Sequence, residues 1–345
     1  MNKKPKNLGF YLVRGLETFV SYWSGYRITP KPSVMYLELT YRCNCRCKFC
    51  ERWKIDPKLA KKELTTKEVK RLLVEARQLG VKNVGFTGGE PFLREDIFEI
   101  GKFAKKIGLD IVVASNGTLI NKKNIKEIAA TFGSVAISMD GITPKTHDFI
   151  RGVKGVYEAA MNALALFKEH RVPVTVNMVI TKKNFMEIDE YVQFFSQKDI
   201  PIQLTPVQEC EATHFKVKKA LKQIDAKKFG QEWATLSRKY PFLKSGFYRY
   251  VPTFLSEPRK LLRTYVCFAA AVMFFVNPYG EMFPCEFNRV KMGNIKNEPL
   301  AVIWKRAKNL RRKIASPKRS CICWNHCVVP LCNKLTRFIA LKRGI

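Results

Sequence analysis

Residues 39–50 of the chain read LTYRCNCRCKFC, and their first residue is the last one of the apolar run of residues 34–39. In this segment Cys43, Cys47 and Cys50 have a C-x3-C-x2-C spacing. Cysteine thiolates are the usual ligands of iron–sulfur clusters, so three of them on one loop can hold three irons of a four-iron cluster. The fourth iron then has no ligand from the loop, and an open coordination position is typical of a reactive metal site. The segment therefore predicts a catalytic cluster directly after a strand.

A zinc site is the alternative for this loop, with Cys45 as a fourth thiolate. Zinc motifs usually place two C-x2-C units on separate segments, whereas these cysteines share one loop. With Phe49 just before the last cysteine, the loop resembles the signature loop of the radical S-adenosylmethionine (radical SAM) superfamily. The resemblance implies that SAM chelates the open iron of a [4Fe-4S] cluster held by Cys43, Cys47 and Cys50. Electron transfer would then cleave SAM to a 5′-deoxyadenosyl radical.

Further motifs resemble the SAM-binding segments of this family. Residues 86–91 read FTGGEP, where adjacent glycines let the backbone approach a ligand closely and a carboxylate can accept from an amine. Residues 115–118 (SNGT), 138–141 (SMDG) and 147–152 (HDFIRG) match three more family passages. The resemblance implies that Arg151 pairs with the SAM carboxylate, a bidentate task that suits a guanidinium. The implied cofactor-binding residues are Phe49, Gly88, Gly89, Glu90, Ser115, Asn116, Ser138, Asp140, Arg151 and Asn177.

These residues have distinct implied roles. Gly88 to Glu90 would bind the methionyl amine of SAM, Ser138 its ribose or methionyl group, and Asn177 would line the adenine. Turn chemistry is the alternative for Ser115, Asn116 and Asp140.

Strand-like and helix-like segments alternate from residue 34 onward, which predicts parallel strands joined by crossover helices. Six such units are fewer than the eight of a closed barrel. The resemblance implies an α/β fold with an open six-stranded partial (β/α)6 TIM-like barrel, whose active site lies at the C-terminal strand ends. The predicted strands lie near residues 34–39, 82–87, 109–115, 133–139, 173–180 and 201–206. The predicted helices lie near residues 65–79, 95–107, 122–130, 154–170 and 184–197.

A second, cysteine-rich module begins at Cys267. Apolar runs on both sides of the turn at residues 277–280 (NPYG) predict a β-hairpin. The module resembles the SPASM/twitch extension of radical SAM enzymes, which implies a small α+β domain with an auxiliary [4Fe-4S] cluster. The full SPASM run C-x2-C-x5-C-x3-C is absent, so one auxiliary cluster is favoured over two, and a structural Zn(Cys)4 site is the alternative. The predicted auxiliary ligands are Cys267, Cys285, Cys323 and Cys327, with Cys321 the main rival of Cys323 and Cys332 a further candidate to complete the set.

The predicted domain organisation has five parts. They are an N-terminal basic amphipathic helix and linker (1–33), the radical SAM core (34–240), a connector (241–262), the auxiliary domain (263–335) and a basic tail (336–345). In the first part, a helix over residues 8–24 carries one apolar stripe. We favour packing of this helix against the catalytic domain over an interfacial role at a membrane. The stripe consists of Leu8, Leu12, Leu16, Phe19 and Trp23.

The chain is strongly basic, with 62 Lys and Arg against 29 Asp and Glu and a formal net charge of +33. Such a charge favours anionic partners: nucleic acid, lipid head groups or a phosphorylated substrate. Residues 304–320 are basic without the interleaved aromatics that stack on bases, so nucleic acid is disfavoured. Together with the N-terminal helix they predict salt-sensitive contact with an anionic membrane, the alternative being a solvated charged face.

Cysteine usage and hydropathy bear on localisation. The chain has eleven cysteines and no secretory h-region, which indicates metal ligation in the cytoplasm rather than disulfides. The longest apolar run, residues 266–276, is too short to span a bilayer. We therefore expect a cytoplasmic enzyme, with peripheral contact at the inner face of the membrane.

The sequence thus predicts a radical SAM enzyme of the oxidoreductase or maturase type that abstracts hydrogen from its substrate. The sequence does not identify this substrate. Peptide or protein maturation and modification of a lipid or envelope precursor are both open, and a flavodoxin or ferredoxin is the expected reductant. The alternative is a non-catalytic iron–sulfur or zinc protein that binds nucleic acid through its charge. The GGEP run and the Arg151 passage argue against it, because such a protein needs no SAM site.

Overall fold

Six parallel strands form the centre of the computed structural model, which describes residues 8–208, 217 and 224–324. They are β1 (Val34–Thr40), β2 (Asn83–Gly88), β3 (Asp110–Ser115), β4 (Ser134–Ser138), β5 (Val174–Ile180) and β6 (Ile202–Pro206). Each strand pairs in parallel with the next one along the chain. Among the described strands β6 ends the sheet and does not return to β1. The predicted open six-stranded partial barrel is therefore confirmed.

Helices cross over between these strands, as the alternation predicted. The crossover helices are α2 (Thr66–Leu79), α3 (Ile97–Lys106), α4 (Ile125–Thr131), α5 (Pro144–Arg151), α6 (Val156–Glu169) and α7 (Ile188–Ser196), whereas α1 (Leu8–Trp23) precedes β1. In α2 a capping box joins Thr65 to Glu68, and Gly80 ends the helix at a positive φ. Its buried residues fall three or four positions apart, so one stripe packs on the sheet. Helix α5 was not predicted, although Pro144 at its start and Gly152 at its end are helix boundary signals.

The C-terminal part of the chain continues the same sheet. Four more α-helices follow β6 in the described residues: α8 (Ala226–Lys239), α9 (Val251–Ser256), α10 (Leu300–Arg306) and α11 (Lys308–Ala315). Strands β7 (Met273–Val276) and β8 (Glu281–Phe283) form the predicted antiparallel hairpin, and β9 (Gly293–Asn294) pairs with β8. Strand β7 also pairs in parallel with β1, so the described sheet has nine strands in the order β6-β5-β4-β3-β2-β1-β7-β8-β9. The hairpin is confirmed, and its pairing with the barrel is a feature that the sequence did not reveal.

Helix α1 lies at the N-terminal ends of the barrel strands. The Tyr11 hydroxyl accepts a hydrogen bond of 2.7 Å from Asn83 Nδ2 at the start of β2. Thr18 and Ser21 are buried, and Tyr22 packs edge-on against Phe268. Most of the predicted apolar stripe points away from the protein: Leu12, Leu16 and Trp23 are exposed. The helix therefore packs on the protein as predicted, but through the side that carries Tyr11, Thr18 and Tyr22 rather than through Leu12 and Leu16.

In the described part of the chain no helix combines the length and the apolar character that crossing a membrane would need.

Candidate active site

The GGEP turn is joined by backbone contacts to the segment that leads into the cysteine loop. Gly89 N donates to Thr40 O at 2.7 Å, and Glu90 N donates to Arg42 O at 2.8 Å. A Cβ on Gly88 would lie 2.3 Å from Thr40 O, and one on Gly89 would lie 2.0 Å from Arg42 O. Only glycine allows so close a backbone approach at these two positions. The two glycines therefore bring the ends of β1 and β2 together at one edge of the barrel.

The end of α5 holds the cysteine loop on its other side. Arg46 N donates to Arg151 O at 2.9 Å, and Lys48 N donates to Ile150 O at 3.0 Å. Gly152, at φ +72°, ends the helix where a Cβ would lie 2.3 Å from Arg46 O. The loop is thus held by contacts on two sides. Gly152 of the HDFIRG passage is needed because a larger residue would collide with the loop backbone.

A third contact comes from the loop after β3. Asn116 Nδ2 donates to Asn44 Oδ1 at 2.7 Å, and Asn44 Nδ2 donates to Thr118 Oγ1 at 2.7 Å. Asn116 Oδ1 in turn accepts from the backbone N–H of Thr118. This is the turn chemistry that was the alternative for Asn116, and it ties the SNGT segment directly to the cysteine loop.

A cavity of about 280 Å³ opens where these loops meet, at the C-terminal ends of the strands. Most of the predicted site residues line it: Cys43, Cys47, Phe49, Cys50, Gly88, Gly89, Ser115, Asn116, Ser138, Arg151 and Asn177. Its walls combine thiols at the cysteine loop with backbone and polar groups from β2 to β5. A concave site with a few polar groups converging on it is the usual form of a cofactor pocket. Cys45, Arg52, Trp53, Glu286 and Phe287 line it as well.

Glu90 lies behind this wall rather than in it. Its fully buried carboxylate accepts from Ser115 Oγ at 2.9 Å, Asn116 N at 2.8 Å and Phe92 N at 3.2 Å. Burial raises its pKa to about 7, although the three hydrogen bonds oppose that shift. These contacts hold the β2 and β3 loops in register, and binding of the SAM amine by Glu90 stays a prediction.

Asp140, like Glu90, does not line the cavity, and it orients Arg151. Asp140 Oδ2 lies 2.8 Å from Arg151 Nε, and Asp140 Oδ1 accepts from Val179 N at 2.8 Å. Arg151 Nη1 donates to Cys47 Sγ at 3.7 Å, and its guanidinium lies 5.5 Å from the Phe49 ring centroid. Although burial opposes the charge, Asp140 and the nearby thiols raise the pKa of Arg151. A fixed cation therefore lies beside the cysteine loop.

The thiols of the loop suit metal ligation, for which the thiolate is the active form. Hydrogen bonding from Cys45 lowers the pKa of Cys47 to about 7, helped by the charge of Arg151. Cys45 lowers the pKa of Cys43 in the same way, whereas burial raises that of Cys50. Ligands of a four-iron cluster bind separate irons and need not converge on one point. In the described residues no three His, Cys, Asp or Glu side chains are arranged around a single ion.

The polar part of the cavity suits SAM. Asn177 Oδ1 is buried without a hydrogen-bond partner among the described residues, and it lies in the cavity wall. A buried amide oxygen of this kind calls for a donor, which the adenine amino group of SAM would supply. The glycine turn and the Arg151 cation provide surfaces for the amine and carboxylate ends. The residues present therefore fit both the cluster and SAM.

The sequence did not indicate a buried ion-pair network beside the cavity. Arg52 Nε donates to Glu38 Oε1 at 2.7 Å, and Arg52 Nη2 donates to Glu286 Oε1 at 3.1 Å. Arg52 Nη1 lies 3.6 Å from Cys50 Sγ, and Glu286 directly follows Cys285. Arg52 thus connects the catalytic loop with the auxiliary module. The one available signal was Glu38 itself, a carboxylate inside an otherwise apolar strand.

Two of the auxiliary cysteines, Cys285 and Cys321, lie beside Asn288. Asn288 N donates to Cys285 Sγ at 3.3 Å, and Asn288 Nδ2 lies 3.7 Å from Cys321 Sγ. Burial and a Coulombic interaction with Cys267 raise the pKa of both Cys285 and Cys321. Asn288 thus joins Cys285 to Cys321, and Cys321 and Cys323 both stay predicted candidates for the auxiliary site. The fourth predicted ligand, Cys327, lies outside the described residues.

The first prediction concerns this auxiliary group. Alanine at both Cys267 and Cys285 should remove about four irons per chain, the content of one [4Fe-4S] cluster, and leave SAM binding unchanged. Iron analysis and equilibrium dialysis with labelled SAM measure the two quantities. Stoichiometric zinc in the wild type, lost in this variant while iron stays constant, would contradict the assignment in favour of a Zn(Cys)4 site.

Comparison with known proteins agrees with this geometry. The profile of the Radical SAM superfamily matches residues 37–195, and that of the SPASM iron-sulfur cluster-binding domain matches residues 267–328. The AdoMet-dependent heme synthase of Methanosarcina barkeri is 27% identical over 331 residues, which cover 84% of this chain and 87% of that protein. The mycofactocin maturase MftC of Mycobacterium tuberculosis is 26% identical over 300 residues, 85% of this chain and 75% of that protein.

Solved structures show the same fold. SuiB of Streptococcus suis superposes with a TM-score of 0.64 at 18% identity, covering 88% of this chain and 73% of that one. Structures of SuiB bound to S-adenosylmethionine and to its precursor peptide SuiA also match.

The partial barrel, the three-cysteine loop and the cavity beside it define an iron–sulfur protein built to hold SAM. Residues 37–195 form a radical SAM domain, and residues 267–328 form a SPASM iron–sulfur cluster-binding domain. Its cofactors are SAM and [4Fe-4S] clusters, as the sequence predicted. Neither the site nor the comparisons support the nucleic-acid-binding alternative.

Proposed function

We propose that this chain is a radical SAM enzyme that cleaves SAM reductively and abstracts a hydrogen atom from a peptide or protein substrate. The observation that carries the proposal is the cavity, in which the C-x3-C-x2-C loop faces the glycine turn, Arg151 and Asn177. A protein that used its cluster only for structure or electron storage would have no need of this polar pocket.

In this scheme the residues of the chain bind and orient the cluster and SAM. Cys43, Cys47 and Cys50 hold the cluster, which when bound supplies the electron for SAM cleavage. The backbone of Gly88 and Gly89 receives the methionyl end of SAM. Arg151 is kept charged by Asp140 and would pair with the carboxylate of SAM. The rings of Phe49 and Phe287 line the cavity and help to exclude water, which protects a reactive radical from side reactions.

Two lines of support favour a peptide-type substrate. The structural neighbour SuiB binds a precursor peptide. Glu286 and Phe287 of the SPASM domain line the cavity, so this domain can take part in choosing the substrate. A tetrapyrrole is the second candidate, because the heme synthase relative aligns with 84% of the chain.

The expected reductant is a flavodoxin or ferredoxin. The net charge of +33 favours a protein partner of opposite charge, since complementary charges accelerate encounter. The electron would enter through the SPASM domain or directly at the catalytic cluster.

The second prediction tests the proposed activity. The anaerobically reconstituted protein, given dithionite and SAM, should release 5′-deoxyadenosine, because the reduced cluster lies beside the SAM pocket. Chromatography of the quenched reaction measures the product, and omission of dithionite is the control. SAM that stays intact while the cluster becomes reduced would contradict the proposal and indicate a binding protein.

A further inference from the structure

Helix α1 presents an unusual surface to the solvent. Its exposed residues are Gly9, Leu12, Val13, Leu16, Val20 and Trp23, with exposures of 65% at Leu12 and 60% at Leu16. They recur at helical spacing and form one stripe without a charged side chain. The two charged residues of the helix, Arg14 and Glu17, are partly buried and paired with each other. An ordinary surface helix exposes its polar side to the solvent, whereas α1 exposes an apolar one.

Cationic residues lie at both ends of this apolar stripe. Lys3, Lys4 and Lys6 precede the helix by a few residues in the sequence. Beyond its C-terminal end Arg27 and Lys31 are exposed, next to the exposed Ile28. There Arg312 of α11, also exposed, donates to Gly25 O at 2.7 Å. An apolar stripe with basic flanks is the pattern of a helix that lies in the interface of an anionic bilayer.

We propose that the exposed face of α1 docks this protein on an anionic membrane surface. Apolar residues would enter the boundary between head groups and acyl chains, while the flanking cations contact anionic head groups. A second copy of the chain is a poorer partner for the exposed face of α1 than a membrane. An antiparallel pair of α1 helices would place the basic N-terminal end of one against the basic C-terminal end of the other, between two chains that each carry +33.

The docked orientation follows from the position of α1 in the fold. The helix contacts the start of β2 through Asn83, whereas the cavity lies at the opposite ends of the strands. Seven residues of β1 separate these two ends, a distance of roughly 20 Å at the rise of an extended strand. The cavity mouth would therefore face away from the bilayer. Docking would hold the protein at the membrane while its substrate arrives from the aqueous side.

This orientation also bears on the substrate classes that the sequence left open. A lipid precursor still embedded in the same bilayer would not reach the cavity. The inference goes beyond the proposed function and does not depend on the chemistry in the cavity.

The third prediction tests the docking face with sedimentation of vesicles. The full-length holoprotein should bind vesicles of phosphatidylcholine with 30% phosphatidylglycerol at 50 mM NaCl and lose most of this binding at 500 mM NaCl. Leu16→Glu should weaken binding at least tenfold. The matched control is Met186→Glu, which adds the same charge at a residue that is 48% exposed near the other end of the strands and should bind like the wild type.

A second readout tests the orientation. Brominated lipids should quench tryptophan fluorescence through Trp23 on the docking face, so that quenching is lost in Trp23→Phe. It should persist in Trp53→Phe, because Trp53 lines the cavity at the opposite end.

Several outcomes would overturn the proposal. The protein could ignore the vesicles, or both glutamate variants could lose binding equally, which would indicate charge attraction without a defined face. A wild-type dimer that Leu16→Glu converts to a monomer without lipid would assign the stripe to a second copy. A gain in vesicle binding on deletion of the basic tail, residues 336–345, would assign the stripe to that tail.

Discussion

Alanine at Cys43, Cys47 and Cys50 together should abolish release of 5′-deoxyadenosine and lower bound iron from about eight to about four per chain, the content of one remaining [4Fe-4S] cluster. The loss should be complete, because the three thiols are the cluster ligands that the loop offers at the required spacing. Iron analysis and product chromatography on the same anaerobic preparations measure both effects.

A single substitution on the same loop provides the control. Cys45 lies between two of the ligands and is buried, but it falls outside the C-x3-C-x2-C spacing. Cys45→Ser should therefore keep the iron and retain most of the activity. Loss of metal in this variant would identify Cys45 as a fourth ligand and favour the zinc interpretation of the loop. Undiminished product from the triple variant would refute the catalytic assignment.

The catalytic centre was largely predictable because its chemistry is local in sequence. The cysteine spacing and the GGEP run each lie within a few residues, and each follows a strand with a clear apolar pattern. Parallel strands bring their C-terminal ends to one edge, so these motifs had to meet there once the alternation was recognised. The cavity that joins them follows from that topology.

What the sequence did not reveal depends on contacts between distant segments. Pairing of β7 with β1 joins residues that are 239 positions apart, as in Val34 and Met273, and no local pattern encodes it. The α1 stripe looked like a packing surface because apolar periodicity alone does not tell which side faces the protein. On the opposite side, the hydroxyls of Thr18 and Ser21 donate hydrogen bonds to backbone carbonyls, so that side can be buried.

The Arg52 network is the strongest case of such a distant contact, and its loss should have a large effect. Glu38 is fully buried, and Arg52 Nε is 2.7 Å from its Oε1. Removing one partner of a buried ion pair costs about 3–5 kcal/mol, because a charge remains in a medium that solvates it poorly. We expect Arg52→Met to lower the free energy of unfolding by about 3 kcal/mol, at the low end of that range. Arg289 and the Tyr41 hydroxyl still contact the other oxygen of Glu38.

The same substitution should also change the chemistry, which separates it from a purely structural defect. Arg52 Nη1 lies 3.6 Å from Cys50 Sγ, and charge and hydrogen bonding near the sulfurs set the potential of an iron–sulfur cluster. Without this cation the catalytic cluster should be harder to reduce, so its midpoint potential in an EPR-monitored titration should fall. Lys54→Met is the control, because the partly exposed Lys54–Glu51 pair contributes at most about 1 kcal/mol. An Arg52→Met protein with unchanged unfolding and an unchanged potential would show that the network does not couple the two cysteine modules.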